Sequence, residues 1–215
     1  MRLAFDHLAL VAADLEAGVE WASERLGISL TVGGAHPKMG THNKLTRTGP
    51  DNFLEIIAID PDVADPGRMR WYRMDDPAIQ AMTEAVPRPL AWIVATDDLD
   101  AIRGAARDLG LDLGKTVEVS RDDLTWRITV RDDGDLPEGG TLPVFIQWPE
   151  GPHPATLMPD LGLSISKIML RHPEPERLGK LLAGLGVREM VEIETGGAGI
   201  TAEICRSEGP PVLIT

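Results

Sequence analysis

RLAFDHLALVA, residues 2–12, sets the pattern by which the rest of the chain is read. It alternates as a strand does, with Leu3, Phe5, His7, Ala9 and Val11 on one face and Ala4, Asp6, Leu8 and Leu10 on the other. Asp14 follows as an N-cap, then Leu15, Val19, Ala22 and Leu26 at helical spacing, and Gly27 as a left-handed stop. Stretches 28–33, 41–48 and 52–59 then read as three strands parted by Gly- and Pro-containing turns. The unit is one strand, one helix and three strands.

The same order returns twice. Residues 89–96 form a strand, Asp98 caps a helix carrying Leu99, Ile102, Ala106 and Leu109, and Gly110 ends it. Strands near 115–120, 124–131 and 142–148 complete that copy. A third, shorter pass has a strand at 163–171 and a helix with Leu178, Leu181, Leu182 and Leu185 that stops at Gly186. It finishes with strands near 187–195, 200–206 and 211–215. Leucine followed by glycine closes each helix in one register.

The expected fold class is therefore α+β, built of βαβββ modules at 1–60 and 89–155, with a shorter module-like unit at 160–215. Two modules side by side cover each other's sheet edges and leave a cleft between curved sheets. The joining segment 61–88 holds Trp71, Tyr72 and a short helix after Asp76-Pro77, which favours a packed flap over a loose linker.

The whole chain narrows the function classes. Its 215 residues are 43% hydrophobic and 26% charged, the composition of a globular protein. No apolar run approaches the roughly 18 residues of a membrane span, so a soluble, cytoplasmic protein is expected. A net charge of -13, spread along the sequence, repels phosphate backbones and anionic lipids, so neither nucleic acid nor membrane is an expected partner. The lone Cys205 excludes an internal disulfide and a cysteine-rich zinc site.

Glu55 interrupts Phe53-Leu54-Glu55-Ile56-Ile57, a strand otherwise apolar. A buried carboxylate without a partner costs several kcal/mol, so something must answer it. If the last strand of the module lies beside the first, His7 is its neighbour. Two accounts fit: a divalent metal (Zn, Fe, Mn, Ni or Mg) on His7 and Glu55, or a hydrogen-bonded pair able to move protons. A metal site wants a third ligand. His42 is the candidate, but His42 and Asn43 point to opposite strand faces, and either one is expected to contact substrate.

Superposing the second unit on the first sets Ala91 against His7 and Gln147 against Glu55. Gln147 can orient a carbonyl or hydroxyl, or simply brace a neighbouring strand. Trp92, Trp126 and Trp148 fall on strands that line the expected cleft, and Trp71 lies in the flap. Arg121 and Arg127 flank Trp126 as partners for an anionic group or as surface ion pairs. Three His-Pro steps stand in loops, of which His36 and His153 adjoin cleft-facing strands.

These residues resemble the glyoxalase-like domain proteins of the vicinal oxygen chelate superfamily. The resemblance rests on Asp6-His7-Leu8, Gly33 to Asn43, Phe53 to Ala58, Ser120-Arg121, Trp126-Arg127, and Phe145 to Trp148 with His153-Pro154, across roughly residues 3–155. It implies the βαβββ fold and a ligand pocket inside the curved sheets. Metal-dependent members draw ligands from the first and last strands of paired units. Those positions are His7, Glu55, Ala91 and Gln147 here, so the chain departs from a four-ligand pattern. The resemblance implies a lyase, isomerase or dioxygenase acting on a small oxygenated metabolite, or a sequestering protein of the bleomycin-resistance type, with a homodimer as the expected assembly.

Overall fold

The computed structural model describes residues 1–215, and its helices begin and end where the capping residues stand. α1 (Leu15–Leu26) starts at Asp14, whose carboxylate accepts the Ala17 N–H, and stops at Gly27 with φ 70°. α2 (Pro77–Thr83) starts at Asp76, with proline in its first turn. α3 (Leu99–Asp108) is capped by Asp98, and Gly110 stands just past its end at φ 74°. α4 (Pro175–Gly184) is followed by Gly186 at φ 76°.

The strands of the first module are β1 (Leu3–Val11), β2 (Val32–His36), β3 (Thr41–Gly49) and β4 (Asn52–Ile59). Those of the second are β5 (Arg88–Thr96), β6 (Lys115–Arg121), β7 (Leu124–Val130) and β8 (Val144–Gln147). All eight form one sheet in the order β2-β3-β4-β1-β5-β8-β7-β6. In each module the last strand runs parallel beside the first, and antiparallel β1 and β5 join the modules. The sheet curls until its edges face each other. Lys38 Nζ donates to the Glu118 carbonyl across that seam at 2.8 Å, and the Arg121 stem lies against Gly34. β2 begins four residues later than expected, because its ladder starts at Val32 opposite Leu45 while Ile28 and Leu30 pack into the core.

Two apolar layers follow from strand alternation. Leu8, Leu10, Leu54, Ile56, Val94 and Phe145 face outward against α1 and α3. Ala9, Val11, Ile57, Ile93, Ile128 and Ile146 face the lumen. The alternation of β1 breaks once. Phe5 pairs with Val94 and His7 with Ile93, so Asp6 is an extra residue, a β-bulge. Leu3 and Phe5 consequently pack with the outer core, not on the face of His7 as simple alternation predicts.

The segment between the modules enters the lumen. A single 3-10 turn at Trp71–Arg73 buries Trp71 and Tyr72, and Met74 joins them. Tyr72 and Arg73 are both left-handed, at φ 58° and 57°, a conformation held by the Arg73 N–H on the Gly134 carbonyl.

The third unit comprises β9 (Ser164–His172), α4, β10 (Glu192–Thr195), β11 (Gly199–Cys205) and β12 (Val212–Ile214), in a separate sheet ordered β10-β9-β11-β12. It keeps the sequence order of the modules but not their pairing. The strand parallel to β9 is β10, the one straight after the helix. Ile168, Leu170, Ile200, Ala202 and Ile204 pack into the outer core, so the unit backs the large sheet and leaves its lumen free.

Trp92 requires a correction. Expected in the cleft, it pairs with Leu8 on the outer side, is fully buried, and donates its indole N–H to the Thr141 carbonyl at 3.2 Å. Its role is packing. Trp92→Ala is expected to cost about 3–5 kcal/mol in urea unfolding, with a Trp92→Phe variant retaining most of that stability and all ligand binding.

Candidate functional site

The bulge in β1 puts His7 on the cavity and Asp6 behind it, among His7, Trp148 and His153. Asp6 is wholly buried and its carboxylate accepts from three donors: His7 Nδ1 at 2.5 Å, Trp148 Nε1 at 2.7 Å and His153 Nε2 at 3.0 Å. Burial alone would raise its pKa. The hydrogen bonds from His153 and His7 outweigh that penalty and hold the carboxyl below its ordinary range. His153 is itself oriented, since its Nδ1 accepts the Ala155 N–H and leaves Nε2 to donate. With Asp6 ionised, His7 carries its proton on Nδ1. Nε2 then points into the cavity, and Phe53 stacks flat on the ring at 4.4 Å.

Glu55 is opposite. Its Oε2 lies 3.6 Å from His7 Nε2, too long for a hydrogen bond. Its Oε1 accepts the Asn43 amide at 2.6 Å. Asn43 is fixed by the Gly34 N–H on its oxygen, and its amide also faces His36 Nε2 at 3.4 Å. His36 Nδ1 completes the chain on Thr41 Oγ1 at 3.1 Å. These contacts make His36 an Nδ1–H tautomer. Burial, then the charge of Arg121, pushes its pKa down to about 3, so it is neutral near pH 7.

The cavity over this network measures about 320 Å³ with its mouth. His7, His36, Asn43, Phe53 and Glu55 line one side, and Trp126, Ile128, Ile146 and Trp148 the other. Trp71 and Tyr72 form its floor, and Arg121 leans in from the seam. Arg121 is in no ion pair. Burial lowers its pKa, while the fields of Glu55 and Asp122 oppose that. An unpaired guanidinium beside a cavity is a ready partner for an anionic oxygen.

The expected site residues divide. His7, His36, Asn43, Glu55, Arg121, Trp126 and Trp148 meet at the cavity. His153 stands behind Trp148 and Phe53 and holds Asp6, so it supports the site and does not line it. His42 faces away, its Nδ1 4.0 Å from Asp60, because Asn43 takes the inward position on β3. Gln147 also faces away. Val144 and Ile146 point inward on β8, so Gln147 bonds Arg127 at 2.6 Å and the Asp97 carbonyl at 2.8 Å. Asp6 was missed, and only its place in a strand beside a histidine hinted at it.

The donors do not fit a metal held by three protein side chains. His7 and Glu55 supply one nitrogen and one carboxylate, Asn43 turns its NH₂ toward Glu55, and no three of His, Cys, Asp and Glu are arranged to hold a metal ion. No chemical step is therefore derived through a metal.

Fold and cavity together define a paired βαβββ protein with a polar-lined cavity enclosed in its curled sheet. The chain belongs to the glyoxalase-like domain family, whose model matches residues 5–186. No curated protein matches it. A crystal structure of a hypothetical protein from Staphylococcus aureus has a similar fold. Its TM-score is 0.71 at 17% identity, over 97% of this chain and 93% of that one. Methylmalonyl-CoA epimerase from Streptomyces coelicolor, in complex with 2-nitronate-propionyl-CoA, gives 0.47 at 18% identity, over 70% of this chain and 98% of that one. The Mycobacterium tuberculosis epimerase gives 0.45 at 19%, over 69% and 88%. Those two likenesses carry no argument about this site.

His36 gives the fold a pH dependence. Its folded pKa lies below its unfolded one, so between about 6.5 and about 3 the unfolded chain binds the extra proton. Stability is full above that window and falls as pH drops through it, by up to about 1.4 kcal/mol per pH unit. Urea unfolding at steps from pH 7.5 to 4.5 is expected to show this slope, and His36→Gln to flatten it.

Proposed function

We propose that the chain is an acid–base enzyme of the isomerase or lyase type, acting on a small oxygenated metabolite, with His7 moving the proton. One observation carries this reading. Asp6 fixes the Nδ1–H tautomer of His7 and leaves Nε2 facing Glu55 across 3.6 Å of cavity. Both groups line the same cavity, so a substrate C–H presented from it can reach the ring nitrogen while the carboxylate stays beside the ring.

The step is written for a carbon bearing hydrogen next to a carbonyl. His7 Nε2 takes the proton and becomes imidazolium, while the C–H electron pair moves into the carbonyl and leaves an enolate oxygen. The imidazolium lies between the carboxylates of Asp6 and Glu55, which stabilise its charge. Arg121 neutralises the enolate or a neighbouring carboxylate. Returning the proton to the same or an adjacent carbon is isomerisation. Expelling a group from the next carbon is a lyase reaction. A divalent ion on His7 and Glu55, and the dioxygenase chemistry that would go with it, draws less support, because the third donor is wanting.

A second reading is a sequestering protein of the bleomycin-resistance type. The aromatic walls of Phe53, Trp71, Trp126 and Trp148 favour it, since they suit a flat apolar ligand without any chemistry.

The two readings part under deuterium exchange. Protein dialysed against EDTA and incubated in D₂O with a panel of small oxo and hydroxy acids is expected to exchange carbon-bound hydrogens, followed by NMR. His7→Ala should slow the exchange about a hundredfold to ten-thousandfold, and Asp6→Asn at least about tenfold through the lost tautomer. Exchange that survives His7→Ala would remove the acid–base role. Saturable binding of panel members without exchange would hand the site to the sequestering reading.

A further inference from the structure

Behind Trp71 and Tyr72 the barrel holds a second cavity, about 360 Å³ with its own mouth. Val130, Leu136, Pro137 and Val144 give it an apolar wall. Trp71, Tyr72 and Ile128 line both cavities, so the aromatic pair is the partition between them. The strands run straight past it. Trp126 lies on the first cavity, Ile128 on both and Val130 on the second. At strand spacing those four residue steps cover about 13 Å of continuous wall. Ile146 and Val144 repeat the sequence on β8.

One feature of the partition points to a ligand. The Trp71 indole N–H is buried and has no acceptor, in a residue only 4% exposed. A buried donor left open is destabilising, and an oxygen of a head group bound in the first cavity, which Trp71 lines together with Arg121, would satisfy it.

We propose that the two cavities are one bipartite site for an amphipathic carboxylate. The acid head sits at Arg121, above His7 and Glu55. The apolar tail passes Trp71 and Tyr72 into the second cavity. The head end rests on the function proposed above, whereas the tail end rests on the second cavity alone.

The test is calorimetric titration of the full chain with butanoate, hexanoate, octanoate and decanoate. Affinity is expected to rise about three- to fourfold per added methylene until the second cavity is full, then level off. Val130→Phe and, independently, Val144→Phe fill that cavity. Each should abolish the rise while leaving butanoate binding as in wild type, and thermal melts confirm that the variants fold. Arg121→Ala should weaken every acid by one common factor. A flat series in wild type, or a rise that both filling variants leave intact, overturns the bipartite site while the head reading stands. Binding of all four acids unaffected by Arg121→Ala overturns the head reading, and the bipartite site with it.

Discussion

The buried carboxylate of Asp6 is the constraint on which the site depends. It sits at the junction of three pieces of chain: the start of the first module, the end of β8 at Trp148, and the 3-10 turn opened by His153. Three donors on one carboxylate compensate its burial and keep it ionised. The same bonds tie the first module to the end of the second and dictate which nitrogen of His7 bears the proton. Removing any donor would leave charge unanswered in an apolar setting, which is costly. Structure and the proposed reactivity thus meet in one group.

The two modules have divided their duties. The first supplies the polar chain from Asp6 through His7, Glu55 and Asn43 to His36. On the inward faces of β5 and β8 the second offers Ala91, Ile93 and Ile146, all apolar, and it contributes Trp126 and Trp148 as wall. A carboxylate facing aromatic and aliphatic surface is a far stronger electrostatic element than one facing water. The third unit contributes nothing to the lumen. By packing on the outer face it thickens the core behind β1 and β5, and so stiffens the strands that carry the site.

The lumen itself is shaped by the connection between modules. Trp71 and Tyr72 occupy space that paired curved sheets would otherwise leave empty, and they convert one open trough into two chambers. Family membership leaves the chemistry open, since one fold supports many reactions. What this chain places at its cavity is a histidine aligned by a carboxylate, a glutamate held off at 3.6 Å, and an arginine without a partner.

Local sequence was enough for the repeating architecture. Capping aspartates, helical leucine spacing and left-handed glycines are read by the backbone within a few residues, so the modules and their helix ends were legible at Asp14, Asp98, Gly27, Gly110 and Gly186. The meeting of His7 with Glu55 was legible too, because a lone charge in an apolar strand demands a neighbour and the module's pairing names it. The rest was decided at long range. A single bulge at Asp6 reversed the phase of β1, and strand phase alone sent Trp92, His42 and Gln147 away from the cavity while turning Asn43 toward it. Periodicity records that side chains alternate, but which face becomes the inside depends on partners nearly a hundred residues away or more, and those come together only in the folded chain.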